Sequence, residues 1–214
     1  HFFIMLSGIN YNKLRIMSTV FKLMVANQRM KASRDAELQI EQRIQSSSTL
    51  CEKCILAREY INPQSTLMEK VIKSDLQINN PPNETSGDGE KNGKNYEIKF
   101  SAHDKSSKFN FVQIRPDHQV DFYILIGYNL FEDEIGKAYN FKIPSADLYA
   151  LTVEYGGYAH GTCKELGKIT TENFKGRNCE YALRVNPNAN EKTKARELWN
   201  KLAQFITPYD KDSY

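Results

Sequence analysis

Apolar residues in the first third of the chain recur every three or four positions. Leu14, Met17, Phe21 and Met24 fall on one helical face, which Val20 and Leu23 widen. Ala36, Ile40 and Ile44 carry a second helical stretch to about Ser46-Ser47-Ser48. A third runs from about Leu50 to Tyr60 and stops before Pro63. A fourth helix is predicted from Thr66, with Glu69 three residues on in a capping-box arrangement and Met68, Val71, Ile72 and Leu76 as its apolar face. Residues 79–95 break the pattern. Pro81-Pro82 and the glycines of Ser86-Gly87-Asp88-Gly89 exclude a helix, and Asn92-Gly93 signals a hairpin turn.

Beyond the break the period drops to two. Tyr96, Ile98 and Phe100 alternate with Glu97, Lys99 and Ser101, which predicts a half-buried strand. Phe109 to Arg115 reads as a second strand, ended by Pro116. Val120 to Tyr128 is apolar on both faces, as a covered central strand requires. Phe141 to Ile143 predicts a shorter strand, and Ser145 the cap of a helix to about Tyr155. Residues 156–180 are glycine-rich and basic without clear period. Tyr181 to Val185 predicts a strand, and residues 189–206 a final helix with Ala195, Leu198, Trp199, Leu202 and Phe205 inward. The order predicts an α/β fold. A helical N-terminal arm (1–62) joins a core (63–214) with a mixed central sheet flanked by helices, the whole forming one compact unit.

The 214 residues suffice for one domain with a real core, and 40% hydrophobic with 26% charged residues is a globular composition. No apolar run approaches the roughly 18 residues of a membrane span, and His1 to Leu6 is too short for a signal peptide, so a soluble cytoplasmic protein without membrane contact is expected. The net charge of +3 is mild, but its distribution is uneven. Residues 1–60 and 155–201 each hold nine basic and five acidic side chains, whereas 119–154 hold two and six. Such a layout suits a polyanion at the flanks and a cation between them. Cys51 and Cys54 form one close pair, and Cys163 and Cys179 are scattered. That falls short of the two close pairs of a zinc site, so structural thiols are expected.

The chemistry gathers around residues 87–101. Strand alternation places Glu97 and Lys99 on one face, within roughly 7 Å of each other. A hairpin turning at Asn92-Gly93 brings Asp88 back alongside Glu97, so two carboxylates and an ammonium meet at a strand end. Convergent carboxylates repel. A hard cation such as Mg²⁺ neutralises them through oxygen and keeps positions for water and phosphate oxygens. A lysine beside them can orient or deprotonate an attacking water and offset charge in a phosphoryl transition state. The layout suits phosphodiester hydrolysis. Glu90 competes with Asp88 as the first carboxylate. Glu69 could be a further metal carboxylate, though its capping box is the plainer role, and Gln113 could touch the site water or be an ordinary sheet polar. Asp88, Glu90, Asn92 and Gly93 also match early positions of a calcium loop. Lys99 stands where that loop needs a bidentate Glu, so the reading fails.

Asp88, followed after eight residues by Glu97-Ile98-Lys99, resembles the PD-(D/E)xK nuclease signature. FNFVQIRP (109–116) and VDFYILIGYN (120–129) resemble the adjoining core strands of type II restriction endonucleases. The resemblance covers about residues 65–130, with Gly87 where the family signature has proline. It implies a restriction-endonuclease-like core, with Asp88, Glu97 and the Ile98 carbonyl as metal ligands and Lys99 as the catalytic lysine. It also implies Mg²⁺ as cofactor, with double-stranded DNA cut at a short palindrome by a homodimer. Lys105, Lys108 and Arg115 near the metal, and His160, Lys164, Lys168, Lys175 and Arg177 of the glycine-rich segment, are then candidates to contact DNA. The N-terminal helices could dimerise or grip the minor groove, with Met17, Met24 and Met30 as wedges if exposed. His103 and His118 join no motif and take no role. A repair or junction-resolving nuclease, and a non-catalytic DNA-binding module of the same fold, stay open as alternatives.

Overall fold

Three helices lead into the first strand of a computed structural model that describes residues 34–58, 64–103, 108–129, 132, 136–160, 169–174 and 179–214. The predicted helix through Met17 and Met24 lies outside these residues, as do Met30, Lys105, Cys163, Lys164, Lys168, Lys175 and Arg177. Helix α1 spans Arg34–Ser46, α2 Leu50–Arg58 and α3 Gln64–Leu76. Thr49 and Glu52 start α2 as a reciprocal capping box: Glu52 N–H donates to the Thr49 hydroxyl oxygen, and the Glu52 carboxylate accepts the Thr49 N–H, both at 3.2 Å. Helix α3 is already under way at Gln64, so Thr66 does not cap it and Glu69 is released from the capping role.

The strands are β1 (Gly89–Lys91), β2 (Lys94–His103), β3 (Phe109–Ile114), β4 (Phe122–Asn129), β5 (Lys137–Pro144), β6 (Tyr158–His160) and β7 (Glu180–Val185). They form a mixed sheet in the order β1-β2-β4-β5 and an antiparallel sheet in the order β3-β7-β6. In the mixed sheet β2 and β4 run parallel and the other neighbours antiparallel. Strand β4 is buried from Tyr123 to Asn129, which explains its continuous apolar sequence.

The two faces of β4 feed two cores. Ile124, Ile126 and Tyr128 pack with Ile98 of β2 against Ile40, Ile44, Leu56, Met68, Ile72 and Leu76 of the three helices. Tyr123 and Leu125 pack on the opposite face with Phe109, Phe111, Tyr181 and Leu183 of the second sheet. Helices α4 (Ser145–Glu154) and α5 (Lys194–Ala203) close that core through Leu148, Leu198 and Leu202. The protein is thus mixed α/β, with helices covering one face of the mixed sheet and a second sheet lying on the other.

Strand β3 therefore does not adjoin β2 in the mixed sheet. Its fully buried residues Phe109, Phe111 and Ile114 face one core while Asn110 and Gln113 are exposed and Val112 half-buried, which suits an outer layer; the fully apolar β4 takes the central place. Other boundaries shift as well. Ser145 does not cap α4, because its hydroxyl donates to the Val120 carbonyl at 2.6 Å. The last helix starts at Lys194, where Thr193 accepts the Arg196 N–H. Among the described residues no helix is long and apolar enough to cross a membrane.

Candidate active site

The hairpin builds the site. Asn92 and Gly93 have φ of 55° and 72°, the left-handed pair that a two-residue turn between Lys91 and Lys94 requires. Strand β1 pairs with β2 only as far as Gly89 opposite Tyr96, and among the described residues no strand continues along that edge. Asp88 takes the strand's place. Its N–H donates to the Tyr96 carbonyl at 2.8 Å, and its carboxylate accepts the Ile98 N–H at 2.7 Å. A strand residue's N–H and C=O face the same edge, so the Ile98 carbonyl also points to the side where Asp88 sits.

Gly87 makes this approach feasible. It has φ of 76°, and a Cβ there would lie 2.6 Å from the Tyr96 carbonyl oxygen and 3.1 Å from Glu97 Oε2. Proline, with φ fixed near −65°, cannot adopt that backbone. A glycine rather than a proline before Asp88 therefore has a local structural cause.

Glu97 and Lys99 project to the face of Tyr123 and Leu125, their partners in register on β4. Glu97 is 3% exposed and in direct contact with the Lys99 ammonium, which also lies 4.0 Å from Asp88 Oδ2. Burial pushes the Glu97 carboxyl up from its ordinary value; Lys99 opposes the shift and Asp88 adds to it. Glu69 enters from α3. Burial and then the Asp88 charge raise it to about 7, against the opposing pull of Lys99 and Lys73, with Glu97 raising it further. The helical carboxylate read first as a cap thus stands in the field of Asp88, Glu97 and Lys99.

Glu90 does not compete for the first carboxylate position. Its Oε1 accepts the Gly93 N–H at 2.6 Å and closes the turn, while its backbone bridges to Asn79. Gln113 is not on the strand beside β2. It is exposed, with φ of 58°, where the β3–β7 register shifts between Phe111 and Ile114. Such a bulge redirects the chain that follows, and here Arg115 follows. The Arg115 Nε donates to Glu180 Oε1 at 3.0 Å, and its guanidinium is within electrostatic reach of Glu97 and Asp88. Lys108 is exposed just before β3, and His160 ends β6 opposite Glu180.

His118 joins no sequence motif. Its Nδ1 is buried with no hydrogen-bond partner among the described residues, and it lies within electrostatic reach of Glu97. Nothing in residue spacing reveals this, because the turn that carries it packs beside β2 only in three dimensions.

Among the described residues no three His, Cys, Asp or Glu side chains are gathered into a ready metal group. The Lys99 ammonium lies against Glu97 and Asp88 and neutralises them in part. The donors are nevertheless all oxygens, two of the carboxyls are held above their ordinary range, and the Ile98 carbonyl shares their edge. That donor set fits a hard divalent cation such as Mg²⁺. Away from the cluster, Cys51 Sγ donates to the Gly136 carbonyl, and Cys54 and Cys179 are buried. Comparison with protein-family models, with curated proteins and with solved structures finds no match to this chain.

Proposed function

We propose that this chain is a Mg²⁺-dependent DNA endonuclease that hydrolyses phosphodiester bonds of double-stranded DNA in the manner of a type II restriction enzyme. The observation that supports it most is the meeting of Asp88, Glu97 and Lys99 where β1 gives way beside β2, with Glu69 within their electrostatic reach. Asp88, Glu97 and the Ile98 carbonyl would hold the cation, with Glu69 as the further carboxylate. The cation supplies positive charge to the phosphoryl oxygens and acidity to a coordinated water.

The chain's own groups do the remainder. Asp88 is held by the Ile98 N–H, so its free oxygen has a fixed direction. The Lys99 ammonium, beside Glu97 and 4.0 Å from Asp88 Oδ2, would orient the attacking water and offset charge on the phosphoryl group. Arg115, anchored by Glu180, offers a second positive charge within electrostatic reach of Glu97 and Asp88. Cutting both strands of a palindrome calls for two such sites related by a two-fold axis, hence a homodimer.

Incubation with plasmid and phage DNA in Mg²⁺ tests the reading. Discrete fragments are expected. A smear indicates a nuclease without sequence preference, preferential cutting of branched DNA indicates a junction-resolving enzyme, and intact DNA overturns hydrolysis.

A further inference from the structure

The outer face of the second sheet carries an arrangement that its core does not require. Phe109 and Phe111 point into the core, so Asn110 points outward, paired in register with the exposed Arg184 of β7. Tyr158 of β6 sits opposite Ala182. Its hydroxyl donates to Asn110 Oδ1 at 3.0 Å, on the far side of β7, so the ring crosses Ala182. That explains why an outward-facing alanine is fully buried, and a larger side chain there would displace the ring. The Arg184 guanidinium carbon lies 4.6 Å from the Tyr158 ring centroid. Stacking on the ring holds the guanidinium in one orientation while leaving its donors to solvent.

The charge on this face is unbalanced. Among the described residues neither Arg184 nor Lys108 has a carboxylate partner, and the only acidic residue in the three strands is Glu180, which is bound to Arg115. A fixed guanidinium, a lysine and an amide without a carboxylate complement an anionic chain. The face is joined to the candidate active site through β3, whose following turn carries Arg115. Four residues of β3 and its bulge separate Asn110 from Arg115, roughly 15 Å of strand, or about four base-pair steps of duplex.

We propose that Lys108, Asn110 and Arg184, with Tyr158 as the support of Arg184, form a docking surface for the phosphate backbone of duplex DNA flanking the scissile bond. The proposal rests on the nuclease reading above for its choice of polyanion. Phosphate contacts position the duplex without reading its sequence.

The test is binding of a fluorescently labelled duplex, followed by anisotropy without divalent metal across a salt series. The proteins are the wild type, Arg184→Ala, Arg184→Lys and the Lys108→Ala/Arg184→Ala pair. Arg184→Ala should weaken binding about tenfold, and each lost contact should flatten the dependence of log affinity on log salt by about 0.9. Arg184→Lys should keep the salt slope, and all variants should unfold within about 4 °C of the wild type, because the replaced side chains are exposed and only the Arg184–Tyr158 stacking is lost. Wild-type affinity and slope in the paired variant would overturn the surface, leaving the active-site reading intact if the protein still cleaves. Weakened binding in the variants of a protein that cleaves nothing would keep the surface and remove the hydrolytic reading. A wild-type protein that neither binds nor cleaves duplex would remove both.

Discussion

Lys99 and Asp88 carry different burdens at the residue scale. Lys99 neutralises a buried carboxylate in the absence of metal, so Lys99→Ala leaves Glu97 without its ion pair. Cleavage in Mg²⁺ is expected to fall by about a hundredfold or more, as when one charge-stabilising donor is removed from an active site. Lys99→Arg should not restore it, because a planar guanidinium cannot replace a compact ammonium at this spacing. Initial rates on a single duplex substrate check both. Glu69 gives a pH signature that needs no substrate. Its folded value of about 7 exceeds its ordinary value of 4.5, so the folded protein binds more protons than the unfolded chain between them. Metal-free stability should therefore fall as pH rises through that window, in the same direction as the smaller contribution expected from Glu97. Glu69→Gln should flatten the decline. Unfolding temperatures of the two proteins, measured without metal from about pH 4.5 to 8, decide it; parallel curves would remove Glu69 from the cluster.

Much of the site was legible at the element scale because it is local. Alternation in β2 put Glu97 and Lys99 on one face, and Asn92-Gly93 announced the turn that returns Asp88 to that strand. Gly87→Ala should consequently reduce cleavage more than stability suggests, since the added Cβ meets both the Tyr96 carbonyl and the Glu97 carboxylate. Comparing cleavage rate with unfolding temperature against Gly93→Ala separates the effects. Gly93 has the same sign of φ but open space around it, so that change should cost about 1 kcal/mol of stability and little activity. What escaped the sequence was non-local. The placement of β3 in a second sheet depends on pairing with β7, some seventy residues on, and the short β6 has too few residues to show a period. Glu69 resembles a cap because Thr66 precedes it by three, yet the helix starts earlier and leaves the carboxylate half-buried within electrostatic reach of Asp88, Lys99 and Glu97.

The three-layer arrangement sets how the whole molecule responds to a cation. Helix α3 supplies Glu69, and the β1–β2 hairpin with the residue before it supplies Asp88 and Glu97, so a cation held by these carboxylates would tie the helical layer to the mixed sheet. Mg²⁺ at about a hundred times its dissociation constant should add about 2.7 kcal/mol to unfolding stability, a gain that Asp88→Ala should abolish. Thermal unfolding with and without Mg²⁺ measures it. The most direct test of the account is a cleavage time course on plasmid DNA in Mg²⁺, comparing the wild type with Asp88→Ala and Lys99→Ala, each first shown to be folded by circular dichroism. Mg²⁺-dependent cutting by the wild type, abolished by chelation, is expected, with cutting lost in Asp88→Ala and about a hundredfold slower or more in Lys99→Ala. Cutting at the wild-type rate by both folded variants would contradict the account.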